Sequence, residues 1–123
     1  MTRLLLPLCL LLTACPASEV GTCATVAENA VALRQSFQAC DSDTTCVVVA
    51  MADIIPDGGN VGAFQCFHAF PDDADLDALA DEAGPYIDKH DTCGLVNSAK
   101  CNTPGTGPAT CNLTTGLCEE PEE

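Results

Sequence analysis

The chain has no tryptophan, one tyrosine and four phenylalanines among its 123 residues. A large aromatic core is therefore excluded, and a small domain with a thin core usually needs covalent help to stay folded. Basic residues are scarce as well: four Lys and Arg stand against 18 Asp and Glu, for a formal charge of −14. Such a surface repels phosphates, so nucleic acid and anionic lipid headgroups are poor partners, and solubility is the ordinary use of the charge. The longest apolar run, residues 4–12, falls well short of the roughly 20 residues that cross a bilayer.

Cysteine, by contrast, is plentiful, with ten in the chain. Two lie at the N-terminus. Arg3 supplies a short positive start, the leucine-rich run 4–12 follows, and its length and flanks fit a removable secretory signal. Next comes Leu12-Thr13-Ala14-Cys15. This tetrad resembles the lipobox of bacterial lipoproteins: an aliphatic residue, two small residues, then cysteine. The resemblance implies that residues 1–14 are a signal peptide, that Cys15 takes a diacylglycerol on its sulfur, and that cleavage falls before it. Small side chains at Thr13 and Ala14 suit a narrow protease groove. The competing reading is an ordinary signal cut after Ala14 or Ala17 that leaves Cys15 as a spare thiol. Parity opposes it. With Cys9 removed and Cys15 lipidated, eight cysteines remain (Cys23, Cys40, Cys46, Cys66, Cys93, Cys101, Cys111 and Cys118), and eight pair completely. Acyl chains on Cys15 would anchor the protein to a membrane, because two or more chains hold stably where one is marginal. Residues 15–22 form the lipidated cysteine and a polar tether. Residue 16 is proline rather than the aspartate that retains Gram-negative lipoproteins in the inner membrane, so the resemblance implies the outer membrane.

Residues 23–119 are expected to form one α+β, disulfide-rich domain, with two helices, a short antiparallel sheet and a C-terminal cysteine-rich hairpin. An exported chain with eight cysteines forms bridges by default, but 105 pairings are open and spacing does not choose among them. Across residues 23–40, Val26, Ala27, Ala30, Val31, Arg34 and Phe37 recur every three or four positions without Gly or Pro, which predicts a helix with Thr22 as N-cap. Cys23 and Cys40 then lie about 25 Å apart along that helix and must each bond elsewhere. The β-branched run 44–49 predicts a buried strand, with a helix through Met51 and Ile55 as the rival. Residues 56–60 read as a loop, and residues 63–70 as a strand that sets Phe64, Cys66, His68 and Phe70 on one face and ends at Pro71. An acidic-start helix is expected over 72–83, broken or kinked at Gly84-Pro85, with a turn or two more to Asp91 and an exit at Cys93-Gly94. Residues 109–119 read as a hairpin with a Thr114-Thr115-Gly116 loop and Gly116 left-handed. That loop pairs Asn112 with Cys118, which puts Cys111 and Cys118 on opposite faces, so that they bond elsewhere and not to each other; a two-residue loop at Thr114-Thr115 would reverse this, but neither residue favours positive φ. Residues 120–123 form an acidic tail.

The segment Cys40-Asp41-Ser42-Asp43-Thr44-Thr45-Cys46-Val47-Val48-Val49 and the closing Cys111…Cys118 pair resemble a diffuse set of small cysteine-rich lipoproteins of the myxobacterial kind. The resemblance implies location and disulfides and no reaction.

Asp73-x-Asp75-x-Asp77 hints at a calcium loop, but Ala78 and Gly84 occupy the positions that need glycine and glutamate, so an acidic helix start is expected instead. Cys66-Phe67-His68 and His90-Asp91-x-Cys93 offer zinc ligands, yet there is no Cys-x-x-Cys pair and export favours oxidised sulfur. His68 is expected as a half-buried strand residue and His90 as a helix-end side chain near the negative dipole end. No nucleophile elbow accompanies either histidine. Asn112-Leu113-Thr114 matches a glycosylation sequon, a coincidence in a bacterium. Neither a catalytic residue nor a cofactor is expected. The expected role is a lipid-anchored envelope module that binds a protein or cell-wall partner or serves as structure. Its rivals are a small hydrolase, which needs a deep pocket holding His68 or His90 beside a carboxylate, and a protease-inhibitor-like module, which needs a rigid exposed loop such as 56–60.

Overall fold

Helix α1, Val26–Ser36, is shorter than the apolar spacing predicts. The chain enters it through a turn in which the Thr25 and Val26 N–H groups donate to the Thr22 carbonyl, so the N-cap is Thr25 and not Thr22. A computed structural model describes residues 20–56, 61–95 and 101–121 of the chain. The signal-like segment, Cys15, most of the 56–60 loop and the last two residues lie outside the described residues.

Strand β1, Cys46–Ala50, is the valine run, and it pairs antiparallel with β2, Phe67–Pro71, in the register Val48 to Ala69. The two make a two-stranded sheet, so among the described residues β1 has a partner on one side, and Val47 is 39% exposed; the expected burial holds for Cys46 and not for the whole run. The rival helical reading survives as a single 3-10 turn, Met51–Asp53, directly after the strand. The predicted strand over 63–70 is also shortened. Residues Gly62–Phe64 form a 3-10 turn, and Cys66 takes a left-handed backbone with φ 68°, so extended pairing begins only at Phe67. Phe64 and Cys66 therefore do not share a strand face with His68 and Phe70.

Helix α2, Leu76–Thr92, starts later and runs further than expected. The Asp75 carboxylate caps it by accepting from the Ala78 N–H at 3.0 Å, while Asp72 and Asp73 stay in the preceding turn. Pro85 sits inside the helix without ending it. A mid-helix proline deprives the carbonyl four residues back of its donor. Here that carbonyl belongs to exposed Asp81, where water can replace the lost bond. Leu79, Ala83, Tyr86 and His90 form the buried stripe of α2, and the first three share a core with Val26 and Ala30 of α1. Met51, Ile55, Val61, Phe64 and Phe70 complete this core.

Strands β3, Thr110–Asn112, and β4, Leu117–Glu119, form the C-terminal hairpin. Its register pairs Cys111 with Cys118 and Asn112 with Leu117, one position away from the expected pairing. The cause lies in the turn. The Asn112 Oδ1 accepts from the N–H groups of Thr114 (2.9 Å) and Thr115 (3.2 Å), which draws Leu113 into the loop, and Gly116 closes it at φ 74°. Cys111 and Cys118 thus face each other directly. The hairpin also docks on the chain after α1: the Cys40 N–H donates to the Gly116 carbonyl and the Cys118 N–H to the Gln38 carbonyl, at 2.8 and 2.9 Å.

Four bridges join these parts: Cys23–Cys93, Cys40–Cys111, Cys46–Cys118 and Cys66–Cys101. Cys23 and Cys40 bond elsewhere, as the spacing requires, although both lie just outside α1. The protein is an α+β, disulfide-rich fold, with two helices and two small antiparallel sheets among the described residues. Its two cores are the aliphatic one between the helices and a smaller one of Cys46, Ala69 and Cys118 under the hairpin.

Candidate functional site

Among the described residues, a groove with developed polar chemistry runs between α1, β2 and the hairpin. It encloses about 490 Å³ and is lined by Arg34, Gln35, Gln38, His68, Thr115, Leu117, Cys118, Glu119 and Glu120. Sequence periodicity places Arg34 on the apolar stripe of α1, where it reads as an intrusion. The structure shows why it is tolerated there. Its Nε donates to Gln38 Oε1 at 3.1 Å, its Nη1 donates to the Ala63 carbonyl at 3.1 Å, and the same Nη1 lies 3.4 Å from His68 Nε2. Arg34 thereby ties α1 to the 3-10 turn and to β2.

Gln38, only 5% exposed, is the pivot of the floor. Its Nε2 donates to the Ala69 carbonyl at 2.8 Å, its Oε1 accepts from Arg34, and its backbone carbonyl accepts from Cys118. Helix, sheet and hairpin meet at this one residue, the first two through its side chain and the hairpin through its backbone carbonyl.

His68 lies half-buried on β2, as its sequence position suggests. Burial first, and the Arg34 charge second, push its pKa down to about 4, against a smaller opposing effect of a hydrogen bond to the Gln65 backbone. At neutral pH the ring is therefore uncharged. The Arg34 guanidinium has its own pKa lowered by burial, partly offset by Glu120. The Glu120 carboxyl is held above its ordinary range by desolvation, with Arg34 pulling the other way and Glu119 adding to the rise. Among the described residues no ion pair closes within 4 Å between Arg34 and Glu120. A cation and two carboxylates thus flank the groove.

The expected sulfur sites fare differently. All eight domain cysteines are bridged, and Cys15 lies outside the described residues. Cys66 and Cys93, the sulfurs of the two possible zinc patterns, bond to Cys101 and Cys23. His90 lies in the last turn of α2, as its sequence position suggests. It is 3% exposed in the buried stripe of α2, and among the described residues its Nδ1 has no hydrogen-bond partner. Residues Asp73, Asp75 and Asp77 are exposed around a helix start, and one of them caps it.

A second hollow, of about 390 Å³, is mainly apolar and lies beside the Cys66–Cys101 bridge, between Ala50, Ile55, Phe64 and Phe67. It offers packing surface and little polar chemistry.

The fold and its bridges define the class, a small disulfide-stapled α+β module. No protein-family model matches the chain, and no curated protein or solved structure does either. No helix among the described residues is long and apolar enough to cross a membrane.

Proposed function

We propose that the protein is a lipid-anchored module of the bacterial cell envelope, held on the outer membrane through Cys15, that binds a peptide-like partner in the Arg34 groove without transforming it. The observation that carries the anchoring half is the pairing of sulfur. Eight cysteines close four bridges, so the two left over are Cys9, within the signal-like run, and Cys15, at the end of the lipobox-like tetrad.

The groove supports the binding half. Arg34 is a donor for a carbonyl or carboxylate, while Glu119 and Glu120 accept an ammonium. A short zwitterionic peptide, as found in an envelope protein segment or a cell-wall stem, matches both ends. The hydrolase reading gains one observation, since His68 and two glutamates do line the same groove. The chemistry weighs against it: the imidazole is flanked by a guanidinium and stays neutral down to about pH 4, a poor general base. The Thr115 hydroxyl is engaged in its own turn, donating to the Asn112 carbonyl and accepting from the Leu117 N–H.

Two measurements test the reading. Intact mass of the membrane-extracted protein, before and after reduction, should show a chain that begins at Cys15, carries acyl mass and gains eight protons on reduction. A chain that begins upstream or lacks fatty acid refutes the anchor. Titration of the soluble domain with cell-wall stem peptides, for the native protein and Arg34→Met, should show binding only in the former.

A further inference from the structure

We propose that the four sulfurs of Cys40–Cys111 and Cys46–Cys118 form a disulfide-exchange site, at which a small thiol re-pairs them as Cys40–Cys46 and Cys111–Cys118. Two bridges stand side by side under the hairpin, with the sulfurs of Cys40, Cys46 and Cys118 all within 4.8 Å of one another. Exchange needs a thiolate to reach a disulfide sulfur. Here a sulfur freed from the first bridge already lies beside the second. Exposure sets the order. Cys40 and Cys111 are half-buried, whereas Cys46 and Cys118 are 8% and 3% exposed, so an outside thiolate reaches the first bridge.

The steps balance. The incoming thiolate bonds to Cys111 Sγ, the Cys40–Cys111 bond breaks, and the electron pair leaves on Cys40. The Cys40 thiolate attacks Cys46 Sγ, and the pair leaves on Cys118. The Cys118 thiolate then attacks Cys111 Sγ and expels the small thiolate. The bond between the thiol and Cys111 forms and breaks again, so that on balance two bridges are exchanged for two, the thiol is regenerated and neither oxidant nor reductant is consumed.

Both products fit the backbone. Cys111 and Cys118 are direct partners across the β3–β4 ladder, and the Cys118 N–H points away to Gln38, which makes them a non-hydrogen-bonded pair. Side chains approach most closely at such pairs, at Cβ separations near those of a bridge. Cys40 and Cys46 flank a turn closed by the Thr44 N–H on the Asp41 carbonyl at 3.1 Å, and their sulfurs are already neighbours.

The exchange has a functional consequence. Before it, the hairpin is tied to the rest of the domain by two bonds of sequence separation 71 and 72. Afterwards both bridges are local and the hairpin is held only by its hydrogen bonds and packing. The hairpin and the residue after it supply Thr115, Leu117, Glu119 and Glu120 to the groove, so the exchange loosens one wall.

The test uses the bridged domain, folded, with a substoichiometric amount of reduced glutathione, followed by acid quenching and thiol blocking. Cleavage at Arg34, at Asp41 or Asp43, at Asp53, at Asp72, at Lys100 and at Leu113 separates Cys40, Cys46, Cys66 and Cys93 from one another and Cys111 from Cys118, so mass spectrometry assigns the pairs. The proposal expects Cys40–Cys46 and Cys111–Cys118 to form together, about tenfold or more faster than any new pair with Cys23, Cys66, Cys93 or Cys101, because the reacting groups are preassembled. Three results each overturn it: no reaction, a glutathione adduct without re-pairing, or scrambling over all four bridges at similar rates.

Discussion

Arg34 Nη1 and His68 Nε2 sit 3.4 Å apart at the groove floor, a fixed positive charge against an imidazole held uncharged. Burial of the ring first, and the Arg34 charge beside it second, make the fold sensitive to acid. With a folded pKa of about 4 against an ordinary 6.5, the unfolded chain takes up a proton in that window and the folded one does not. Stability from this group is complete above pH 6.5 and falls as the pH drops towards 4. Solvent reaches part of the ring, so the expected loss is about 1–2 kcal/mol. Glu120, with a raised carboxyl pKa, acts in the opposite sense and partly offsets it. Urea unfolding across the window should show a slope that His68→Gln flattens; equal slopes in the two proteins refute the assignment.

Replacing Arg34 with methionine keeps most of the aliphatic stem and removes the bonds to Gln38 and the Ala63 carbonyl. The expected cost is about 2 kcal/mol, the scale of hydrogen bonds from a charged group. Denaturant midpoints measure it. The same variant should raise the pKa of His68, readable by NMR titration, since one of the influences lowering it is gone.

Gln38→Glu should be worse than Gln38→Leu. The glutamate keeps the Arg34 partner but sets an acceptor against the Ala69 carbonyl, in a site where the native amide donates. Losses of about 1–3 kcal/mol for leucine and more for glutamate are expected. The order, read from thermal or urea unfolding at neutral pH, is the decisive observation.

Removing the Cys23–Cys93 bridge by a double serine substitution opens a closure of sequence separation 70. The chain-entropy estimate for such a closure is about 4 kcal/mol. Amide hydrogen exchange should accelerate first at the start of α1 and the end of α2, which that bridge clamps, before it does so at the hairpin.

Two glycines with positive φ should respond differently to alanine. Gly116 has open space around the added methyl, so only backbone strain of about 1–2 kcal/mol is expected. At Gly21 the methyl runs into Asn29 Nδ2 and Thr25 Oγ1, so the added clash should make Gly21→Ala the costlier change in a stability comparison.

Much of the architecture is readable from local rules. The spacing of Val26 and Ala30, and of Leu79 and Ala83, follows from helical periodicity, and the β-branched run gives β1 because no tertiary contact opposes it. What misleads is chemistry whose outcome depends on distant parts. Pro85 is read as a break or a kink because its missing donor is costly in a dry helix; the break does not occur, since the helix runs through it and Asp81 faces water. The hairpin register turns on one asparagine side chain bonding two N–H groups, which shifts every partner by one. The groove itself is invisible in the chain order. Arg34 looks like a blemish on an apolar stripe until residues 29 and 34 positions away are folded against it.

Each of the four bridges has one end at position 93 or later. A polypeptide that emerges N-terminus first therefore presents Cys23, Cys40, Cys46 and Cys66 before any correct mate for them exists. Oxidation in order of appearance would couple neighbours wrongly every time. Maturation must either wait for the whole length or pass through repair of misjoined sulfurs, and a catalyst that rearranges bonds serves this molecule better than one that only makes them.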